Sequence, residues 1–201
     1  MIKIISIFSL FSILFTGCAE KTEKIDINND NGSQVMGLDY RDFQETSSKM
    51  VQSMLKSGAV DKNNGDRYVL AISRVENKTM QHIDTDQLVK KIRVELLKSG
   101  KVVITTAISS NGSEDKMYKK ARNLRNDDEF NQNTVQKKGT MIAPDLSLSG
   151  KILQRNVRMD DGRQQVEYYF MMSLTEIKSG LAWWEGEEII AKRGSGKSVS
   201  W

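Results

Sequence analysis

The stretch that decides the fold runs from Tyr68 to Ala107: YVLAISRVENKTMQHIDTDQLVKKIRVELLKSGKVVITTA. Tyr68 to Val75 is a short apolar run rich in β-formers, which predicts a strand central enough to be covered on both sides. Glu76 to Thr79 is polar and is expected to connect. Leu88, Ile92 and Leu96 then recur at helical spacing, and Val89 and Leu97 widen the apolar face. Asp84 with Gln87 three residues on has the spacing of a capping box, and Gly100 is a natural stop. Lys101 to Ala107 returns to β-type residues. A strand, a helix and a strand in forty residues fit a compact parallel crossover unit.

Working outward, Asp39 to Ser57 predicts a helix capped by Asp39, with Phe43, Met50, Val51, Met54 and Leu55 on one face and Gly58 beyond its end. Glu114 to Asn123 is expected to be an exposed helix, and Asp127 to Lys138 a further helical segment poor in apolar residues. After Pro144 the pattern changes from helical to alternating. Leu146, Leu148, Gly150 and Ile152 share one strand face. Val166, Tyr168, Phe170, Met172 and Leu174 share one face of the next strand, and Tyr169, Met171 and Ile177 the other. Asp161-Gly162 suits a tight turn between them. Lys178-Ser179-Gly180 leads into LAWWEGEEIIAKR, giving a three-stranded antiparallel meander. The fold class is therefore α+β: one small domain, a mixed sheet of about five strands with helices packed on it.

The amino-terminal end carries a different signal. Met1 and Lys3 precede an apolar run from Ile4 to Phe15, the charged and apolar regions of a secretory signal peptide. The run is too short to span a bilayer as a helix, which takes about 20 residues. Leu14-Phe15-Thr16-Gly17-Cys18 resembles a bacterial lipobox, with Phe15 where Leu is usual. That resemblance makes Cys18 the lipid attachment site, the chain's single cysteine and an anchor to the membrane. Each buried methylene contributes about 0.8 kcal/mol, so two or three acyl chains hold a protein where one is marginal. Ala19 follows the cysteine in place of the Asp that retains many lipoproteins in the inner membrane, so the expected location is the periplasmic face of the outer membrane. The expected organisation is a signal peptide over residues 1–17, a flexible tether over 18–37, a globular domain over 38–193 and a fraying tail over 194–201. A tether of about 20 residues reaches at most ~70 Å stretched and averages ~25 Å as a coil.

Several chemistries are excluded on composition and spacing. The net charge is +4, spread among many acids, which is no nucleic-acid footprint. The patch Lys116 to Arg125 is expected to be the solvated face of a helix. One cysteine and one histidine, His82, do not make a transition-metal cage. DINNDNG from Asp26 to Gly32 has Asn31 and Gly37 where a calcium loop needs Gly and Glu. GSGKS, Gly194 to Ser198, lacks the first glycine and the following helix of a phosphate loop. Glu187 and Glu188 are adjacent on a strand and face opposite ways, and Asp160 and Asp161 serve the turn. No enzyme activity and no cofactor are expected. Trp183 and Trp184 also face opposite ways, so either one packs in the core and the other stands at the surface as a protein-contact anchor, or both are buried, the second under a helix.

The order of MVQSMLKSG (Met50 to Gly58), the Tyr68 to Thr106 stretch, APDLSLSGKI (Ala143 to Ile152) and YFMMSLTEIKSGLAWWEGEEI (Tyr169 to Ile189) resembles the LpoB family behind its lipobox. The resemblance implies a fold like the amino-terminal domain of TolB. It also implies a non-enzymatic lipoprotein that binds a class A penicillin-binding protein and stimulates glycan polymerisation and cross-linking. Well-known members carry a long Pro-rich tether; here it is short and proline-free. A monomer is expected. The competing function class is a structural or assembly lipoprotein of an envelope machine, such as the flagellum or a secretion system.

Overall fold

The computed structural model describes residues 24–27, 34–108 and 115–195. Ser33–Trp201 forms one compact unit; of the other, Met1–Gly32, the described residues 24–27 are exposed. Along the chain lie α1 (Tyr40–Lys56), β1 (Tyr68–Lys78), α2 (Asp86–Lys98), β2 (Val102–Ile104), α3 (Lys116–Asn123), β3 (Leu146–Arg158), β4 (Arg163–Glu176) and β5 (Ala182–Ser195). The strands form one sheet in the order β2-β1-β3-β4-β5. β1 pairs parallel with both β2 and β3, and β3-β4-β5 is the antiparallel meander. This is the mixed five-stranded α+β domain that the sequence predicts.

The helices form where the periodicity places them. In α1, Asp39 accepts the Arg41 and Asp42 amides and Asp42 reaches back to the Asp39 amide at 2.8 Å, a complete capping box. Its buried face is Phe43, Met50, Val51 and Met54, each of which contributes about 1.5–3 kcal/mol of apolar burial. In α2, Leu88, Val89, Ile92 and Leu96 are buried. The two helices cover one face of the sheet, meeting Leu70, Ile72, Leu146, Leu148, Ile152, Tyr168, Phe170 and Leu174 in a single core. Phe43 packs edge-on against Phe170 at 6.1 Å. Gly100 takes φ +71° just past α2, as a helix-stopping glycine should.

The structure corrects five local expectations. No Asp84–Gln87 capping box forms: Asp84 Oδ1 instead accepts the Asp86 amide two residues on, closing an Asx turn, and Thr85 stands at the N-cap without a side-chain bond. Glu76, Asn77 and Lys78 belong to β1, since β3 continues alongside them and supplies the pairing. β2 keeps only three residues. Asp127 to Lys138 is not helical: a one-turn 3-10 helix, Leu124–Asn126, is followed by turns, because the segment has no apolar stripe to bury. At the far end, Gly194 and Ser195 pair with Gln164 and Arg163, so β5 runs two residues into the expected tail.

Candidate partner-binding face

The meander presents two unlike faces because successive strand residues alternate. On the helix side Leu146, Leu148 and Ile152 of β3 and Val166, Tyr168, Phe170, Met172 and Leu174 of β4 are buried. On the other side β3, β4 and β5 place Leu153, Tyr169 and Ile189 opposite one another in a single cross-strand row. Met171 sits in the next row between Lys151 and Glu187, and Glu167 in the row beyond, between Arg155 and Ala191. The centre is thus apolar and aromatic. Around it stand cations and carboxylates of both signs: Lys151, Arg155 and Arg193 with Glu167, Glu185 and Glu187. None of α1, α2 or α3 supplies a buried partner for this side; Ile189 is more than half exposed. An apolar centre with a mixed polar rim is the anatomy of a protein-contact patch.

Hydrogen bonds order this face. The Tyr169 hydroxyl donates to Glu167 at 2.7 Å, and Gln165 Nε2 donates to the same carboxylate at 2.7 Å. The Tyr169 bond, more than any other influence, holds the Glu167 carboxyl below its usual range and raises the phenol. Arg193 donates to Gln165 Oε1 through both Nε and Nη2. The side chains are therefore preset rather than free, which lowers the entropy a partner must overcome. Beside the row a shallow depression of about 460 Å³ opens over Ser149 and Ser173, walled by Lys151 and Glu185. Its floor is low because Ser149 and Ser173, paired across β3 and β4, project little there.

The sequence-predicted positions divide clearly. Trp184 is buried on the helix side and its indole N–H donates to Ser53 Oγ of α1 at 3.3 Å. Trp183 is partly exposed and meets Tyr68 edge-on at 5.8 Å. The strand therefore splits the pair as adjacency requires. Glu187 and Glu188 fall on opposite faces, and His82 is exposed ahead of α2. Asp161 holds the β3–β4 turn by accepting the Arg163 amide and guanidinium. Cys18 lies outside the described residues, as do residues 196–201 of the GSGKS tail. Among the described residues no group of three or more His, Cys, Asp or Glu is placed to hold a metal ion, and no helix is long and apolar enough to cross a membrane. The sequence shows only half of the row Leu153–Tyr169–Ile189: alternation gives Tyr169 and Met171 a common face, but the register that adds Leu153 and Ile189 is tertiary information.

The sequence matches the family described as "Peptidoglycan-synthase activator LpoB" over residues 42–190. The chain belongs to the LpoB family. The match runs from the first turn of α1 into β5 and so covers nearly all of the sheet and both packed helices. LpoB-family proteins are envelope lipoproteins that act as regulators, activating a synthase rather than catalysing a reaction themselves. No curated protein matches the chain. Among solved structures, the LpoB C-terminal domain from Escherichia coli aligns at 13% identity, covering 75% of this chain and 99% of that one, with a TM-score of 0.42. The NMR structure of E. coli LpoB aligns at 14% identity over 87% of this chain and 78% of that one, TM-score 0.38. Lipoprotein GNA1162 from Neisseria meningitidis aligns at 8% identity over 63% and 83%, TM-score 0.34. The family assignment rests on the sequence match.

Proposed function

We propose that this LpoB-family protein is lipidated at Cys18, faces the periplasm from the outer membrane, and binds a class A penicillin-binding protein as a monomer to stimulate its glycan polymerisation. The observation that carries the proposal is the family match across residues 42–190. A regulator of this kind accelerates an enzyme by preferring its active state, and its effect is bounded by that difference in affinity. The open sheet face centred on Leu153, Tyr169 and Ile189 is the contact surface: apolar at the centre, rimmed by both charge signs and ordered before contact. Specificity for the synthase then comes from the rim, and affinity from the Tyr169 row.

The test is direct binding to a purified class A penicillin-binding protein. Ile189→Glu places a charge beside Tyr169 at the exposed β5 end of the row, where an edge strand tolerates it. Binding is expected to weaken by at least about tenfold, the effect of an important contact residue, with the thermal midpoint unchanged. Undiminished binding by Ile189→Glu moves the contact elsewhere on the domain.

A further inference from the structure

Between β2 and β3 the chain makes an excursion that the core does not use. No described residue from Thr105 to Asp145 is buried, and α3 has no buried residue at all. Within Lys116–Asn123 stand Lys116, Lys119, Lys120 and Arg122 with no acid among them. Arg122 Nη2 donates to the Lys137 carbonyl at 2.9 Å and to Thr140 Oγ1 at 3.0 Å, which ties the strip carrying Lys137 and Lys138 alongside the helix. Apolar side chains emerge from the same excursion without a core to receive them: Met117 is 67% exposed and Ile142 76%. The acids Asp127, Asp128 and Glu129 come after the helix, beyond its basic turn.

We propose that this excursion docks on an anionic phospholipid surface. Lysine ammoniums on α3 meet phosphate headgroups, and Met117 with Ile142 dips into the acyl boundary. Two observations favour lipid over a protein partner here. Lysine is depleted from protein–protein contact cores, and three of the four cations of α3 are lysines, the fourth, Arg122, being engaged with Lys137 and Thr140. Basic residues flanking apolar ones are the composition of interfacial segments. The proposal also rests on the lipidation proposed at Cys18, which would hold the domain within a tether's reach of the leaflet. At that range a site too weak to bind from solution is filled. Each lysine near an anionic surface contributes about 1 kcal/mol, so three or four suffice when the anchor has already removed the cost of encounter.

The experiment uses the acylated mature protein in vesicles of phosphatidylcholine, with or without phosphatidylglycerol. Flotation with the neutral vesicles reads the anchor by itself; amide hydrogen exchange over Lys116–Asn123 reads the docking. Exchange there is expected to slow by at least about tenfold on the anionic vesicles. High salt is expected to reverse it, and α1 is expected to stay unchanged. The triple variant Lys116→Glu, Lys119→Glu, Lys120→Glu, all exposed positions, is expected to float equally well and to show no such slowing. Equal exchange on both vesicles overturns the docking while leaving the anchor standing. Slowing that appears only on adding the penicillin-binding protein also overturns it, and assigns the patch to the synthase.

Discussion

The Lys192 ammonium lies 2.6 Å from the Asp42 carboxylate and, in the same position, donates to the Gly37 carbonyl at 2.7 Å. One side chain of the edge strand β5 thus holds both the first turn of α1 and the segment that leads into the domain. The pair is largely out of water, at 8% and 13% side-chain exposure. Tyr168 adds a second clasp: its hydroxyl donates to the Met36 carbonyl at 3.2 Å and accepts from Gln81 Nε2 at 2.6 Å. Gln81 Oε1 accepts the Leu38 amide at 3.2 Å. Met36 and Gly37, assigned to the tether on composition, are therefore held by the domain, because buried polar groups of the sheet take their backbone oxygens as partners.

Removing one member of a buried ion pair strands the other. Lys192→Met leaves Asp42 charged and nearly dry, and is expected to cost about 3–5 kcal/mol in urea unfolding. The double variant Lys192→Met, Asp42→Asn is expected to lose less than the two single variants together. Additive losses show that the two groups act separately.

Gly186 lies under the Trp184 indole. A Cβ built at Gly186 meets Trp184 Cζ2 at 2.3 Å, too close for a rigid ring to accommodate in place. Gly186→Ala therefore forces the indole off the sheet and away from Ser53, at a cost of about 1–3 kcal/mol, the usual range for overpacking. Tryptophan emission is expected to move to the red as the ring becomes wetter. An unshifted spectrum and unchanged stability contradict this placement of the ring.

Burial, more than the nearby Asp42 charge, pushes the Tyr168 hydroxyl from its ordinary 10.0 up to about 12. The sign follows from linkage. Below the unfolded value the phenol is neutral in both states and its contribution is intact. As pH rises from 10 towards 12 the unfolded chain loses the proton first, so stability falls through that window. Tyr168→Phe is expected to remove that part of the alkaline decline in a series of chemical unfolding curves. A variant that declines as steeply as the parent sinks the assignment.

The capping carboxylate Asp39 responds in the opposite direction. Burial pushes its pKa up, but the Arg41 guanidinium, the Asp42 and Arg41 amides and the Lys192 charge together outweigh that and hold it lowered. Its stabilising effect is present above the ordinary carboxylate range and is lost as pH falls through the lowered value. Asp39→Asn is expected to keep the cap but flatten the acid limb of the stability profile below about pH 4. An acid limb identical to the parent's shows that other carboxylates carry it.

Much of this fold is legible from side-chain period. The β1–α2–β2 unit follows from Tyr68 to Ala107, and the meander from the alternation about Tyr168 and Phe170. What escapes is what depends on neighbours distant in sequence. The register shifts between Ile72 and Val75 and between Leu174 and Thr175 depend on the facing strand, and no local pattern encodes them. Lys192 reads as an ordinary surface lysine, since only the folded sheet brings Asp42 and Gly37 to it. Asp84 has the residue type and spacing of a capping box, but an Asx turn competes for the same oxygen and prevails. The proposed contact face is half visible in the alternation of Tyr169 and Met171, and the cross-strand register adds Leu153 and Ile189.

Activation of a peptidoglycan synthase is read out by the rate of glycan polymerisation. The rate for the class A penicillin-binding protein of the same cell is followed with increasing amounts of the mature chain, as parent and as Ile189→Glu. The rate is expected to rise and saturate with the parent protein and to need at least about tenfold more of the variant for the same rise. A flat rate with the parent, together with no binding at micromolar concentration, contradicts activation.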